Sequence, residues 1–252
     1  MAQELRILIA GESWETTSIH QKGFDVFTTT FYEEGVGFLK DALEQNGYDV
    51  THMPSHIAAT KFPTELADLQ QYDVVMLSDI GANTLLLHPD TFVKSKRMNN
   101  RLKLLREYTA QGGGLIMVGG YLTFQGIDAK ARYAKTAVEE ALPITMLERD
   151  DRMEVPEGVE AKVQMADHPI VAGLAAEWPA LLGYNQIIAK PEADIVATAG
   201  DDPLLVAWAY EQGRAVAFAS DCGPHWAPPE FLAWEGYGKL WSQMVAWAGG
   251  VA

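Results

Sequence analysis

Residues 111–126, Gln-Gly-Gly-Gly-Leu-Ile-Met-Val-Gly-Gly-Tyr-Leu-Thr-Phe-Gln-Gly, constrain the fold more than any other stretch of the chain. The three glycines end a helix, and residues 115–118 form a short apolar run suited to a strand buried on both faces. Gly119-Gly120 then let the backbone turn sharply, which sets Tyr121 at the apex. A strand that stops at such a turn presents its next side chain at the carboxyl edge of a parallel sheet, where open α/β sheets bind ligands. A pocket is therefore expected around Tyr121.

Other segments supply strands for the same edge. Residues 5–10 read as a first central strand running into Gly11-Glu12-Ser13-Trp14, which makes Glu12 and Ser13 candidate pocket residues. Val36, Leu39, Ala42 and Leu43 recur at helical spacing, Gly47 closes that helix, and residues 48–52 form the next strand, a βαβ opening. Residues 73–77 give another buried strand, followed by Ser78-Asp79-Ile80-Gly81-Ala82-Asn83-Thr84. Asp79 has two readings: a turn or helix-capping residue, or a pocket carboxylate that orients a ligand hydroxyl or acts as a base. Apolar runs at 195–198, 204–210 and 215–219 follow, the last two joined as a hairpin through residues 211–214. The pattern predicts an α/β fold with a doubly wound, mostly parallel sheet and an antiparallel edge.

The last of these strands empties into Ser220-Asp221-Cys222-Gly223-Pro224-His225-Trp226. His225, between a proline and a tryptophan, reads equally as a pocket residue and as packing. Cys222 reads as a small buried residue. Two segments break the βα rhythm. Residues 15–34 show no clear periodicity and are longer than an ordinary connection, the mark of a binding lid or a subunit contact. His20 within them reads as a loop polar residue. Residues 148–158 are densely charged, but their interleaved arginines argue for a salt-bridged loop or subunit contact rather than a metal site. Asn100 is placed to cap a helix carrying Leu102, Leu105 and Tyr108, and Thr136 with Glu139 reads as a capping box. Lys94, Lys96, Arg97, Arg101, Lys103 and Arg106 read as a solvated face.

Composition excludes whole classes of function. A formal charge of −15 over 252 residues opposes binding to nucleic-acid phosphates or anionic membranes. Cys222 is the sole cysteine, so no internal disulfide can form, and a reducing cytosol is the simplest setting. The amino terminus runs into a strand without a signal-peptide apolar region, and no apolar run approaches the roughly 18 residues that span a bilayer. No phosphate loop, zinc-ligand spacing or dinucleotide fingerprint is present, so neither a cofactor nor a metal is expected.

These residues also carry a resemblance. Gly119-Gly120-Tyr121-Leu122-Thr123-Phe124-Gln125 resembles the Gly-x-Cys-x-Gly-x-Gln nucleophile elbow of class I glutamine amidotransferases, with Gly119 and Gln125 matching and Tyr121 where the cysteine belongs. The resemblance implies a flavodoxin-like, class I glutamine amidotransferase-like fold as one domain over residues 1–252. It argues against glutaminase chemistry, because a phenol with a pKa of about 10 is a far poorer nucleophile than a thiol of about 8.5. It also implies that Gly81 and its neighbours form the oxyanion-hole loop. In the family a His-Pro-Glu triplet ends the last strand; here Asp221 falls near that histidine, His225 is displaced and the Pro-Glu pair is missing. Asp167-His168-Pro169-Ile170-Val171-Ala172-Gly173-Leu174 resembles a segment of the trehalose-utilisation proteins, relatives that also lack the cysteine. The segments 78–83, 119–122 and 224–226 are similar to one cysteine-less branch of the superfamily.

Two functions follow as expectations. In the first, Tyr121, Asp79, Asp221 and His225 perform catalysis on a small neutral polar metabolite such as a sugar or polyol, with Glu12, Ser13, Trp14, Ser78, Gly81, Asn83, Gln125 and Trp226 binding it. In the second, the chain is a non-catalytic ligand-binding or oligomerisation module on the same scaffold. The aromatic residues among 24–32 and seven tryptophans point to a homo-oligomer, and the setting is expected to be cytoplasmic.

Overall fold

Every residue of Val74–Ser78 and Gly114–Val118 is buried, as strands covered on both faces must be. In the computed structural model, which describes residues 5–251, they are the middle of an eight-stranded sheet. In chain order the strands are β1 (Arg6–Gly11), β2 (Ser13–Lys22), β3 (Asp25–Glu34), β4 (Asp49–Met53), β5 (Val74–Ser78), β6 (Gly114–Val118) and β7 (Ile144–Met146). They continue as β8 (Arg152–Val159), β9 (Ala161–Val163), β10 (Leu181–Asn185), β11 (Ile187–Ala189), β12 (Asp194–Ala199), β13 (Asp202–Tyr210) and β14 (Gly213–Phe218).

The large sheet runs β4-β1-β5-β6-β14-β13-β12-β9. The first five strands are parallel, and β13, β12 and β9 pair antiparallel beyond them. This is the expected doubly wound order, with the direction of winding reversing between β1 and β5, where such sheets open a crevice at their carboxyl ends. Helices Gly37–Gln45 and Tyr237–Ala248 pack on each other and on β4, β6 and β14, while Ser55–Lys61, Ala82–Leu86 and Arg101–Ala110 form a second group on β1, β6 and β14. The apolar stripe Leu240, Trp241, Met244, Val245 and Ala248 is buried, as its helical spacing predicts. Asn100 caps its helix, its Oδ1 accepting from Leu102 N at 3.0 Å and Lys103 N at 3.2 Å.

Four local expectations are corrected. Residues 15–34 are not an irregular loop: β2 and β3 pair over their full length as a hairpin closed at Gly23-Phe24. Gly23, at φ +66°, occupies the position where a two-residue hairpin turn calls for glycine. Thr16, Thr17, Ile19, Val26 and Thr28–Thr30 have the β-branched shape that favours a strand, a signal hidden because neither face is uniformly apolar. Within residues 148–158, Arg152–Val159 is strand β8, paired with β10. The Thr136 capping box does not form: its hydroxyl donates to Tyr133 O at 2.7 Å, and Glu139 accepts from Met146 N at 3.1 Å.

Arg101 is the fourth correction, since it is buried rather than solvated. Its guanidinium donates to the carbonyls of Leu85, Ala58 (3.0 Å), Ala59 (3.1 Å) and Thr84 (3.2 Å), tying two helices together. Burial lowers its pKa to about 10, so it stays charged at neutral pH.

Candidate functional site

The carboxyl ends of β1, β5, β6 and β14 converge on one cavity of about 310 Å³, lined by Glu12, Trp14, Asp79, Tyr121, Asp221, Pro224 and His225. Its floor is built by strand-end turns. Gly11 adopts φ +107°, where a Cβ would lie 1.9 Å from Ser78 O, so only glycine lets β1 turn beside β5. Glu12 N then donates to Ser78 O at 2.7 Å, and the Ser78 hydroxyl donates to Glu12 Oε2. Glu12 and Asp79 both have left-handed φ values, 49° and 43°, a conformation non-glycine residues adopt where surrounding structure holds them.

Asp79 acts on the elbow itself. Its Oδ1 accepts from Leu122 N at 2.7 Å, and Gly120, at φ +153°, passes close enough that a Cβ would sit 3.1 Å from that oxygen. Burial raises the Asp79 pKa to about 6, opposed by the Leu122 amide and reinforced by the Asp221 carboxylate. Burial also raises the pKa of Glu12 and of Asp221; the Asp221 carboxylate pushes Glu12 further, while the neighbouring His225 imidazole restrains the rise at Asp221. Three carboxyl groups thus face one cavity with their charged forms disfavoured, a pattern concentrated at functional sites.

Tyr121 stands at the apex beyond β6, its ring edge-on to His225 with centroids 4.1 Å apart. Its hydroxyl donates to Glu154 Oε1 at 2.9 Å, and the Arg152 guanidinium lies 4.7 Å from its ring centre. Burial, and then the Glu154 carboxylate, hold the phenol above its ordinary pKa. The ring walls the cavity while the hydroxyl is engaged on β8. His225 Nδ1 lies 3.7 Å from Asp221 Oδ2, and its ring stacks on Trp226 at 5.3 Å. At φ +152° its backbone is strained for any side chain, the kind of outlier that surrounding structure must hold in place.

The remaining candidates stand outside the cavity lining. Ser78 is buried under Glu12, with its Oγ 3.6 Å from Cys222 Sγ. The Ser13 hydroxyl accepts from Ser55 N at 2.8 Å. Gly81 precedes helix Ala82–Leu86 with its Cβ direction toward Ala131, and Asn83 is exposed on that helix. Gln125 is buried and its Oε1 accepts from Ala134 N at 3.3 Å. Trp226 is buried against Gly183, its Nε1 donating to Glu154 Oε2 at 3.0 Å. Neither Gly81, expected from the resemblance, nor Gln125, expected at the pocket, lines the cavity: Gly81 caps helix Ala82–Leu86 and the Gln125 amide accepts from Ala134 N.

Sequence reasoning missed what holds that loop. Asp151 is buried and accepts from Gln125 N, Gly126 N (both 2.9 Å) and Asn185 Nδ2 (2.8 Å), while Asn185 Oδ1 accepts from Gly120 N at 2.9 Å. Glu154 was likewise hidden in the charged run. No alternation marks the segment that follows Asp151, Arg-Met-Glu-Val-Pro-Glu-Gly-Val, as a strand, so the sequence carried no clear signal for either Asp151 or Glu154. Among the described residues, Glu12, Asp221 and Cys222 are the group whose ligand atoms lie mutually within 4.8 Å, close enough for a cation. Burial drives the Cys222 thiol well above its ordinary pKa, so that sulfur stays protonated and is a poor ligand.

The architecture and cavity define an α/β protein of the class I glutamine amidotransferase-like fold. The sequence profile of the family described as "Putative glutamine amidotransferase" matches residues 6–249, and the chain belongs to that family. Two solved structures from Salmonella typhimurium, the cytoplasmic proteins STM3548 and STM1381 (the latter from strain LT2), are 45% and 46% identical. They superpose with TM-scores of 0.94 and 0.93, each over 97% of this chain and 99% of its own. A ThuA-like protein from Parabacteroides merdae shares the fold at 14% identity, with a TM-score of 0.59 over 98% of this chain and 91% of that one. No curated protein matches the sequence. No helix among the described residues is long and apolar enough to cross a membrane.

Proposed function

We propose that the cavity is the active site of an enzyme acting on a small neutral polar metabolite, a sugar or polyol, without glutaminase activity. The observation that carries this reading is the convergence of Asp79, Asp221 and His225 on one cavity walled by the rings of Trp14 and Tyr121. Carboxyl and imidazole groups match hydroxyls, aromatic faces match the C–H face of a sugar ring, and about 310 Å³ is at the small end of ligand sites. Acidic walls on a chain of charge −15 disfavour phosphorylated or carboxylated ligands. Asp79, with a pKa of about 6, is poised as a general base near neutrality, and Asp221 orients the His225 imidazole as its acid partner. Neither the engaged Tyr121 phenol nor the buried Cys222 thiol is available to attack an amide. The Salmonella relatives are described as cytoplasmic and the same setting is proposed for this protein; the exposed aromatics of the β2–β3 hairpin support its being a homo-oligomer.

The test is a panel of sugars and polyols screened by thermal shift and by turnover. A ligand present at about 100 times its Kd adds roughly 2.7 kcal/mol to stability. For a chain of this size that is a rise of about 5–10 °C. The expected result is one such ligand, turned over by the wild type and not by His225→Ala. No stabilising compound, or hydrolysis of glutamine, would remove the reading. Binding without product would favour the second one, a non-catalytic ligand-binding or oligomerisation module, for which the engaged Tyr121 hydroxyl speaks directly.

A further inference from the structure

The β2–β3 hairpin is an arm built for water to leave. Among the described residues only its root meets the body: Ser13 accepts from Ser55 N, and the Tyr32 ring lies edge-on to His56 at 5.1 Å. Beyond the root both faces are exposed. Trp14, Phe31 and Phe27 lie along one, Tyr32, Ile19 and Val26 along the other, and Phe24 is fully exposed at the tip. A lone two-stranded ribbon is marginally stable in water at best. Neither strand pairs with any other, so both outer edges offer unpaired backbone groups.

We infer that this arm is the contact through which a second copy of the chain binds, which deepens the homo-oligomer part of the proposed function. Three observations select another copy as the occupant. Residues 16–21 and 26–32 contain no Asp, Glu, Lys or Arg, so a charge of −15 that repels copies elsewhere has an uncharged gap here. That gap is rich in aromatics and poor in charge, the composition of an interface core. At ~150–250 Å² per aromatic side chain, the exposed parts of Ile19, Phe24, Val26, Phe27, Phe31 and Tyr32 amount to on the order of 800 Å². That sum spans both faces and the tip, so an arm gripped on both faces by its partner would contribute about what one side of a standard interface contributes. The apolar strip begins at Trp14, itself a wall of the cavity, so the contact is continuous with the site.

Light scattering on the purified full chain at micromolar concentration tests the inference. The wild type is expected at a multiple of the chain mass, and the double substitution Phe27→Glu with Phe31→Glu is expected to dissociate at least tenfold more readily. A second variant replaces residues 15–32 with Gly-Gly, closing the paired positions Trp14 and Glu33 with a short turn, and is expected to be monomeric. Amide exchange on the unaltered protein requires no variant: residues 16–31 should be protected at high concentration and lose that protection on dilution. An oligomer whose mass both variants leave unchanged, or exchange in the arm independent of concentration, overturns the arm as contact and spares the homo-oligomer. A monomeric wild type overturns both.

Discussion

Asp79 is the residue whose titration the structure makes measurable. Its folded pKa of about 6 stands above the ordinary 3.8, with Asp221 and His225 facing it. A raised carboxyl stabilises the fold below about pH 4 and loses that contribution as pH rises through about 6, because the native state must then hold a poorly solvated charge. Asp79→Asn should therefore be more stable than wild type by about 1–3 kcal/mol near pH 8, with the difference vanishing near pH 4, as read by denaturant titration. The same substitution should lower kcat by about 10²–10⁴. In the wild type the acidic limb of the rate profile should rise with an apparent pKa near 6. At this scale much was legible: glycine pairs and strand-end loops pointed to Glu12, Asp79, Tyr121, Asp221 and His225, which the fold brings to one cavity. Gln125 was misplaced because a motif position records spacing in the chain and not the direction of the side chain, and here that amide turns to Ala134.

Elements were read well where one periodicity dominated and poorly where two functions shared a strand. β5 and β6, buried on both faces, announce themselves as apolar runs. β8 does not, because it is half-exposed without a two-residue burial pattern and carries the charges of Arg152 and Glu154, which engage Tyr121 and Trp226. The arm was opaque for a related reason: without a body beneath it, neither of its faces needs to be apolar throughout. Arg101 joins helices whose carbonyl ends sit in the interior, and Arg101→Met would leave the carbonyls of Leu85, Ala58, Ala59 and Thr84 without that donor. The expected cost is about 3 kcal/mol or more, a fall in melting temperature of roughly 6–12 °C by calorimetry, against about 1 kcal/mol for Asn100→Ala at the adjacent cap.

For the whole molecule, the doubly wound, mostly parallel sheet with an antiparallel edge was legible from the buried apolar runs, whereas the order β4-β1-β5-β6-β14 was not, because it depends on which strands pair and β1 runs into a hairpin rather than a helix. The charge of −15 has its own consequence: at about 0.15 M salt neither duplex DNA nor anionic vesicles should retain the protein in a co-sedimentation assay. Cys222 offers a different readout. The thiol is wholly buried, bounded by Ser78 and the Glu12 carboxyl, with the Tyr237 hydroxyl donating to its carbonyl. A disulfide reagent in solution can reach that sulfur when the loops after β1 and β14 part company. The pace of labelling thus counts those excursions one molecule at a time, and any compound that settles in the cavity should slow the count in proportion to its occupancy.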